Sequence, residues 1–231
     1  MKKSNHFLIN YFKPNTFVEN IEQIDVLSFK KNNIKLVVCD LDNTLAPHFN
    51  RFPTNTAINF CEKIKNQGIV FILASNNFKK RVKVFADKIK PDHVIWSCKK
   101  PLKHKINKIL KKYNFKPEEI VFIGDQFLID VFCANRFNAK SILVFPLTNV
   151  KYKFQKNKIL GFIENKIYKK ISLNNMGAGL SEKNPFDPWS SKNNIIFFPM
   201  LCFNIVSKLL KIILKSSKYW KSIWDGLKSI S

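Results

Sequence analysis

The sequence is short of acidic residues and has almost no arginine. It has 16 acidic residues against 40 basic ones, which gives a net charge of +24 over 231 residues. Only Arg51, Arg81 and Arg136 among the basic residues are arginine. Arginine makes the bidentate contacts with phosphates and base edges, so the lysine excess is more typical of a solvated surface than of a nucleic-acid site. The electrostatic field of such a chain favours an anionic partner, and nucleic acid is a possible but not a favoured one.

The cysteines form no metal-binding or disulfide pattern. The five of them are scattered, odd in number and mostly within apolar runs, and there is no CxxC pair. Buried, reduced thiols in a reducing compartment are therefore expected. The N-terminal stretch MKKSNHFLINYF lacks the long apolar core and the small-residue cleavage site of a signal peptide. These absences favour a cytoplasmic protein.

Short apolar runs alternate with amphipathic segments over the first two thirds of the chain. The segments predict helices at 7–35, 54–66, 78–89, 102–113 and 129–137. The runs predict strands at 36–40, 69–74, 93–96, 120–123 and 141–145. Strands that alternate with helices of this length indicate an α/β fold with a doubly wound parallel sheet.

The stretch LVVCDLDNTL, residues 36–45, ends a buried strand in two aspartates. Alternation along an extended chain places Asp40 and Asp42 on the same side. Two carboxylates this close require a cation or a shared proton. A strand end followed by an ordinary turn is the simpler interpretation, because Asp, Asn43 and Thr44 are common turn residues.

Polar residues also follow the other predicted strands. They are Ser75 with Asn76, Lys100 before the next helix, and Gly124-Asp125 with Asp130 five positions further on. The carboxyl ends of parallel strands meet at the edge where open α/β sheets bind ligands. The sequence therefore predicts one site with nucleophile, acid/base, metal-binding and phosphate-binding groups.

These pieces resemble the four motifs of the haloacid dehalogenase superfamily of phosphatases. More narrowly, the chain resembles the YqeG-type branch, subclass IIIA, over roughly residues 10–170. The matching stretches are the N-terminal run from Pro14 to Asp25, DLDNTL at 40–45, SNN at 75–77, Arg81-Val82, KPL at 100–102, GDQ at 124–126, Asp130-Val131, Asn135-Arg136 and ILVFPL at 142–147. One departure is Ile129, where such families usually carry Thr.

The resemblance implies roles for these residues. Asp40 would be the nucleophile that forms an aspartyl-phosphate, and Asp42 the general acid and base. Mg²⁺ would be held by Asp40, the backbone carbonyl of Asp42, Asp125 and Asp130. Thr44, Ser75, Asn76 and Lys100 would bind the phosphoryl oxygens.

Several assignments have a simpler alternative. Ser75 is also a candidate helix N-cap, and Lys99 competes with its neighbour Lys100 for the phosphate-binding role. Arg81 and Arg136 are either surface residues or groups that reach the phosphate pocket. His48 is more typical of an exposed loop than of a substrate contact.

The spacing of the motifs leaves no room for a cap domain. About 30 residues separate Asp42 from Ser75, and one helix and one strand nearly fill that gap. An uncapped cleft admits a large or surface-bound substrate, such as a macromolecular or lipid phosphate.

The last third of the chain predicts a separate organisation. We expect the phosphatase domain over 1–173, a linker over 174–194 and a basic amphipathic helix within 195–231. Lysines at 3–4 spacing oppose aliphatic and tryptophan residues in this tail, a pattern typical of a helix lying in a membrane interface. A helix docked on the domain's own core is the alternative. The apolar run from Ile195 to Val206 is too short for a bilayer span.

Three functions follow from this sequence. The first is a capless, Mg²⁺-dependent phosphatase at the inner face of the cytoplasmic membrane. YqeG-type proteins are similar to mitochondrial phosphatidylglycerophosphate phosphatases. This similarity implies that the substrate is phosphatidylglycerophosphate, an anionic phospholipid. The second is a phosphatase of soluble nucleotides or sugar phosphates. The third is a non-catalytic module that binds RNA or the ribosome, for which paired aspartates would be unnecessary.

Overall fold

A computed structural model describes residues 11–147, Glu164, residues 167–169 and Ile171. Its centre is a six-stranded, all-parallel sheet with the strand order β1-β6-β5-β2-β3-β4. The strands are β1 Thr16–Val18, β2 Leu36–Cys39, β3 Val70–Ala74, β4 His93–Ile95, β5 Ile120–Gly124 and β6 Lys140–Val144. The predicted α/β fold with a doubly wound parallel sheet is confirmed.

Helices connect successive strands. They are α1 Val26–Lys31, α2 Asn55–Asn66, α3 Lys79–Ile89, α4 His104–Leu110 and α5 Phe132–Arg136, with a π-helical turn over Phe127–Val131. The start of α2 is set by Thr54, whose hydroxyl accepts from the Ala57 backbone N–H. Gly68 follows its end with φ +71°, a conformation that glycine adopts without strain. Only α2 and β3 lie between Asp42 and Ser75, so no cap domain is inserted there.

The strand order reverses direction between β2 and β5. From β2 the chain moves outward through β3 to β4, and then returns to the other side of β2 with β5 and β6. Such a switch point opens a crevice at the carboxyl ends of the two central strands. Asp40 follows β2 and Asp125 follows β5, so the fold places both at this crevice.

The core fills both faces of the sheet. Alternate residues of β2 and β3 point into different clusters, with Val37, Cys39, Phe71 and Leu73 on one face and Leu36, Val38, Ile72 and Ala74 on the other. These strands are continuous apolar runs because they are buried on both faces. Cys39, Cys61, Cys98 and Cys133 are buried as reduced thiols, as expected, and Cys202 lies outside the described residues.

The prediction of one amphipathic helix over 7–35 was wrong. Residues 16–18 form β1, which pairs in parallel with β6, and α1 covers only 26–31. Asn20 and Asp25 each accept backbone N–H groups as N-caps, so the chain starts a new helical turn at each of them. Ile21 and Ile24 are buried as the pattern suggested, whereas Leu27 is 67% exposed.

A C-terminal helical segment packs beside the loop that follows β5. Tyr168 and Ile171 belong to a buried cluster with Phe127, Val131 and Leu143. The predicted linker at 174–194 and tail at 195–231 lie outside the described residues. Among the residues described, no helix is long and apolar enough to cross a membrane.

Candidate active site

The end of β2 places two aspartates in different surroundings. Asp40 continues the sheet, with its backbone N–H donating to the Ile123 carbonyl at 2.9 Å. The chain then turns tightly, and Asn43 takes the left-handed conformation at φ +64°, which asparagine tolerates better than most residues. Asp40 is buried beside β5, whereas Asp42 is partly exposed at the entrance to the site.

Lys100 reaches into the crevice from the loop after β4. Its Nζ lies 2.6 Å from Asp40 Oδ1 and 2.7 Å from Asp130 Oδ1, and its side chain is 2% exposed. The exposed neighbour Lys99 makes no such contact. The structure therefore places Lys100, and not Lys99, in the crevice.

Asn76 and Arg136 hold the loop of Lys100 in place. The Asn76 side chain accepts from the Lys100 backbone N–H at 2.7 Å and donates to its carbonyl at 3.1 Å. Arg136 donates to the Pro101 carbonyl at 2.7 Å. The Asn76 side-chain amide is thus bonded to the backbone of Lys100. Arg136 therefore stabilises the loop of Lys100 through the Pro101 backbone.

Three carboxylates converge on one point in the crevice. Oxygens of Asp40, Asp125 and Asp130 lie within 4.8 Å of one another, and all three residues are buried. Asp125 Oδ1 has no hydrogen-bond partner among the described residues. Lys100 supplies one positive charge, so two negative charges would lack a counter-charge if all three carboxyl groups were ionised.

Burying these carboxyl groups together shifts their pKa values. Burial raises the pKa of Asp40 to about 7, although the Lys100 ammonium opposes the shift. Burial, together with Asp130 and Asp40, raises the pKa of Asp125 well above its ordinary value. Burial lowers the pKa of Lys100, but the two carboxylates outweigh it and hold the pKa above its usual range. A cation in this pocket would relieve the repulsion.

Asp42 is surrounded by donors from β3 and α3. Arg81 donates to Asp42 Oδ1 through Nε at 3.1 Å and Nη2 at 2.9 Å. Ser75 Oγ and Asn77 Nδ2 donate to Asp42 Oδ2 at 3.4 and 3.3 Å. Sequence reasoning left Arg81 open and missed Asn77. Both residues lie just after Ser75, at the carboxyl end of β3. Their position after this strand was the sequence signal that could have identified them.

Ser75 is not the N-cap of α3. That position belongs to Phe78, which offers no side-chain cap. Ser75 Oγ instead accepts from the Asn77 backbone N–H at 3.0 Å, within the turn before the helix. Thr44 is buried, and its Oγ1 has no hydrogen-bond partner among the described residues. His48 is exposed in the loop after Asp42, as expected.

Glu164 contacts the turn that carries Asp130, although it lies in a segment without a recognisable motif. Its two carboxylate oxygens accept from the backbone N–H groups of Phe127 and Leu128, both at 2.8 Å. These N–H groups open the turn that carries Asp130. Burial raises the pKa of Glu164 to about 8, against the lowering effect of the two donors. The lysine-rich stretch around Glu164 gave no sequence signal for this contact.

Comparison with known proteins identifies the family. The chain is 35% identical over 142 residues to the probable phosphatase YqeG of Bacillus subtilis (strain 168), which covers 62% of this chain and 82% of the relative. The chain belongs to the YqeG family of phosphatases. A model of the haloacid dehalogenase-like hydrolases also matches residues 48–137. The protein is therefore a phosphoric monoester hydrolase of the haloacid dehalogenase type.

Solved structures of lower similarity accompany this YqeG family match. An uncharacterized protein from Listeria monocytogenes serotype 4b is 20% identical, with a TM-score of 0.42, over 54% of this chain and 84% of that one. The D,D-heptose 1,7-bisphosphate phosphatase of B. bronchiseptica, complexed with magnesium and phosphate, is 16% identical, with a TM-score of 0.39, over 49% of this chain and 82% of that one.

Proposed function

We propose that this phosphatase is Mg²⁺-dependent, forms an aspartyl-phosphate on Asp40, and acts on a phosphomonoester carried at a membrane surface. Phosphatidylglycerophosphate is the first substrate to test. The convergence of Asp40, Lys100, Asp125 and Asp130 on one buried point carries the proposal.

The residues present fit a hard divalent cation. Asp40, Asp125 and Asp130 offer carboxylate oxygens, which Mg²⁺ prefers. Asp125 Oδ1 has no hydrogen-bond partner among the described residues, and Lys100 can balance only one of the three carboxylates once all are ionised. Mg²⁺ bound there would reduce the electrostatic repulsion between an anionic substrate and an anionic nucleophile.

Asp40 would be the nucleophile. An oxygen of its carboxylate would bond to phosphorus as the bond to the leaving alkoxide breaks, which leaves the phosphoryl group on Asp40. Lys100, 2.6 Å from Asp40 Oδ1, stabilises the charge on the phosphoryl oxygens during the transfer. Thr44 Oγ1, which has no hydrogen-bond partner among the described residues, would bind the same oxygens, and Ser75 Oγ would do so by turning its hydrogen away from Asp42.

Asp42 completes the two half-reactions. It gives its proton to the leaving alkoxide, and it then takes a proton from the water that hydrolyses the aspartyl-phosphate. Arg81, Ser75 and Asn77 fix the position of this carboxylate. Inorganic phosphate leaves, and Asp40 returns to its starting state.

The membrane part of the proposal rests on the open cleft and the charge. With no inserted cap between the motifs, the site is accessible to a headgroup that remains part of a bilayer. The net charge of +24 favours an anionic surface. The tail at 195–231 would add an amphipathic helix to this contact, so the protein would be cytoplasmic and peripheral on the inner face of the membrane.

The test is phosphate release, with Mg²⁺ and with EDTA, from phosphatidylglycerophosphate in liposomes and from soluble phosphomonoesters. We expect Mg²⁺-dependent release from the liposomes, and a loss of about 10³-fold or more in Asp40→Asn, because covalent catalysis requires this oxygen. Asp87→Asn is the matched control, since Asp87 is exposed on α3 away from the crevice.

Two results would contradict parts of the proposal separately. Release from soluble phosphomonoesters but not from liposomes would remove the lipid assignment and leave the chemistry intact. Full activity in Asp40→Asn would remove the aspartyl-phosphate mechanism.

A further inference from the structure

Among the described residues, the large apolar side chains that are exposed lie mainly at the edge of the sheet that carries the candidate site. Phe49 and Phe52 follow β2, Phe78 follows β3, Trp96 follows β4 and Leu147 follows β6. Their exposure ranges from 40% for Trp96 and Leu147 to 79% for Phe78. We refer to these five residues as the apolar rim. Exposed apolar groups gathered on one face indicate an interaction surface.

Hydrogen bonds connect the rim to the catalytic loop. Arg81, which holds Asp42, also donates to the backbone carbonyls of Pro47 and Asn50, in the loop that carries Phe49 and Phe52. The Leu147 backbone N–H donates to the Asn43 carbonyl at 3.0 Å. The rim residues of these two loops therefore border the entrance beside Asp42.

The loops after β3 and β4 join the rim in the same way. Asn77 donates to Asp42 and precedes Phe78. The Ser97 backbone N–H donates to the Asn77 carbonyl at 2.7 Å, and Trp96 precedes Ser97. Four loops thus bring rim residues to one entrance.

Positive charge is interleaved with the rings of the rim. The Arg51 guanidinium lies 5.4 Å from the centre of the Phe52 ring, and Lys79 Nζ lies 5.1 Å from the centre of the Trp96 ring. The rim-bearing segments 46–53, 76–81 and 96–103 contain no Asp or Glu. Aromatic rings beside cations suit the region of a bilayer where acyl chains meet anionic headgroups.

We propose that the apolar rim docks the catalytic edge of the sheet onto a bilayer that contains anionic phospholipid. The rings enter the interface, the flanking cations bind headgroups, and the entrance beside Asp42 faces the lipid surface. The proposal deepens the proposed function, since it assigns membrane contact to the described domain itself and not only to the tail at 195–231.

Trp96 provides a local probe of this contact. Replacing Trp189, Trp220 and Trp224 by Phe in the full chain leaves Trp96 as the tryptophan. Its emission is then measured with vesicles of phosphatidylcholine and phosphatidylglycerol, whose acyl chains are either plain or brominated. We expect the brominated vesicles to quench Trp96, because bromine quenches only an indole that lies at the acyl boundary.

Variants of the rim and of a matched surface site give the control. Phe49→Ser with Phe78→Ser should lower vesicle partitioning by at least about tenfold, from the loss of two inserted rings. Leu27→Ser leaves partitioning unchanged, because Leu27 is as exposed as Phe49, at 67%, but belongs to α1, which leads into the opposite end of β2.

The outcomes separate docking from lipid hydrolysis. Quenching of Trp96 without Asp40-dependent phosphate release from lipid supports the docking surface and removes the proposed substrate. If the chain cosediments with vesicles but Trp96 emission is the same for both vesicle types, the apolar rim is not the docking surface. Binding is then assigned to another part of the chain. Partitioning that falls equally in Leu27→Ser and in the rim variant also overturns the apolar rim as the docking surface.

Discussion

Lys100 is a buried cation that serves two carboxylates at once. Its ammonium bridges Asp40, which follows β2, and Asp130, which follows β5. A single side chain thus joins the proposed nucleophile, Asp40, to Asp130 of the proposed cation site across the switch point of the sheet. Its removal should change both catalysis and the charge of the pocket.

We expect Lys100→Met to lower phosphatase activity by about 10²–10³-fold, because a preorganised donor to the phosphoryl oxygens is lost. Without Mg²⁺ the variant should lose about 3–5 kcal/mol of unfolding free energy, since its buried carboxylates lose their counter-charge. Added Mg²⁺ should therefore raise the melting temperature of Lys100→Met by more than that of the wild type. Activity assays and thermal melts with Mg²⁺ and with EDTA measure both effects.

Lys99→Met is the control for that substitution. Lys99 is the exposed neighbour in the same loop, and its loss should leave activity and Mg²⁺ stabilisation at wild-type values. If Lys99→Met were inactive and Lys100→Met active, the assignment of the crevice lysine would be reversed.

The sequence predicted the carboxylates of the site better than their supports. Asp40, Asp125 and Lys100 follow strands, and the carboxyl ends of parallel strands meet, so their proximity follows from the fold class. Arg81 and Asn76 act through contacts with other loops. Their roles depend on where those loops turn, which spacing along the chain does not determine.

The turn over Phe127–Val131 shows how an element is held at the site. It carries Asp130, and its first backbone N–H groups are accepted by Glu164 from a distant helical segment. An acidic group at a helix N-terminus is favourable because it satisfies N–H groups that lack partners within the helix. The position of Asp130 therefore depends on a residue outside the recognisable motifs.

Glu164→Gln should change the pH dependence of stability. The pKa of Glu164 is about 8 in the folded chain and about 4.3 in an unfolded one, so between these values the folded state holds a proton that the unfolded state has lost. Wild-type stability should therefore fall with rising pH, by up to about 1.4 kcal/mol per unit relative to Glu164→Gln. Urea unfolding of both proteins across this pH range measures the difference. Parallel pH profiles would show that Glu164 is ionised throughout.

Gly124 allows the same turn to pack against β5. A Cβ at this position would overlap the side chain of Asp130. Gly124→Ala should therefore displace Asp130 and lower the activity by at least about tenfold. Mg²⁺ should also raise the melting temperature of this variant by less than that of the wild type. Magnesium titrations followed by thermal melting, together with activity assays, test this expectation.

Gly68→Ala provides the comparison for Gly124→Ala. Gly68 has φ +71° and nothing within 4 Å of an added Cβ, so alanine costs about 1 kcal/mol in backbone strain. Its activity should remain at the wild-type level. Equal loss of activity in both variants would attribute the Gly124 effect to general destabilisation.

Element boundaries were predictable where apolar runs were long and uninterrupted. Strands β2, β3 and β5 were expected within one residue at each end, since each is buried on both faces. Residues 16–18 were assigned to a helix because Phe17, Val18 and Ile21 have helical spacing. Pairing of β1 with β6 outweighs that local pattern.

At the scale of the whole molecule, the catalytic domain extends beyond the last strand. Tyr168 and Ile171 pack on Phe127 and Leu143, and Glu164 supports the turn of Asp130. The chain up to Leu173 therefore includes the described contacts that the site requires.

We expect a chain of residues 1–173 to fold cooperatively and to hydrolyse soluble phosphomonoesters at the wild-type rate. A chain of residues 1–150 should lose most activity, because the turn that carries Asp130 would lose both hydrogen bonds to Glu164, at about 1–3 kcal/mol each. Circular dichroism melts and p-nitrophenyl phosphate assays on both truncations test the predicted boundary. Inactivity of 1–173 would mean that residues beyond Leu173 belong to the catalytic domain.

The sheet order also has a consequence for the protein as it leaves the ribosome. The first strand β1 pairs with the last strand β6, and Asn15 is bonded to Ser141 across 126 positions. Asp40 emerges long before Asp125, Asp130 and Glu164, and at about 5–20 residues per second the delay is on the order of ten seconds. During that interval the nascent chain has Asp40 but no completed pocket. The phosphatase therefore becomes active only after the end of its domain has been synthesised.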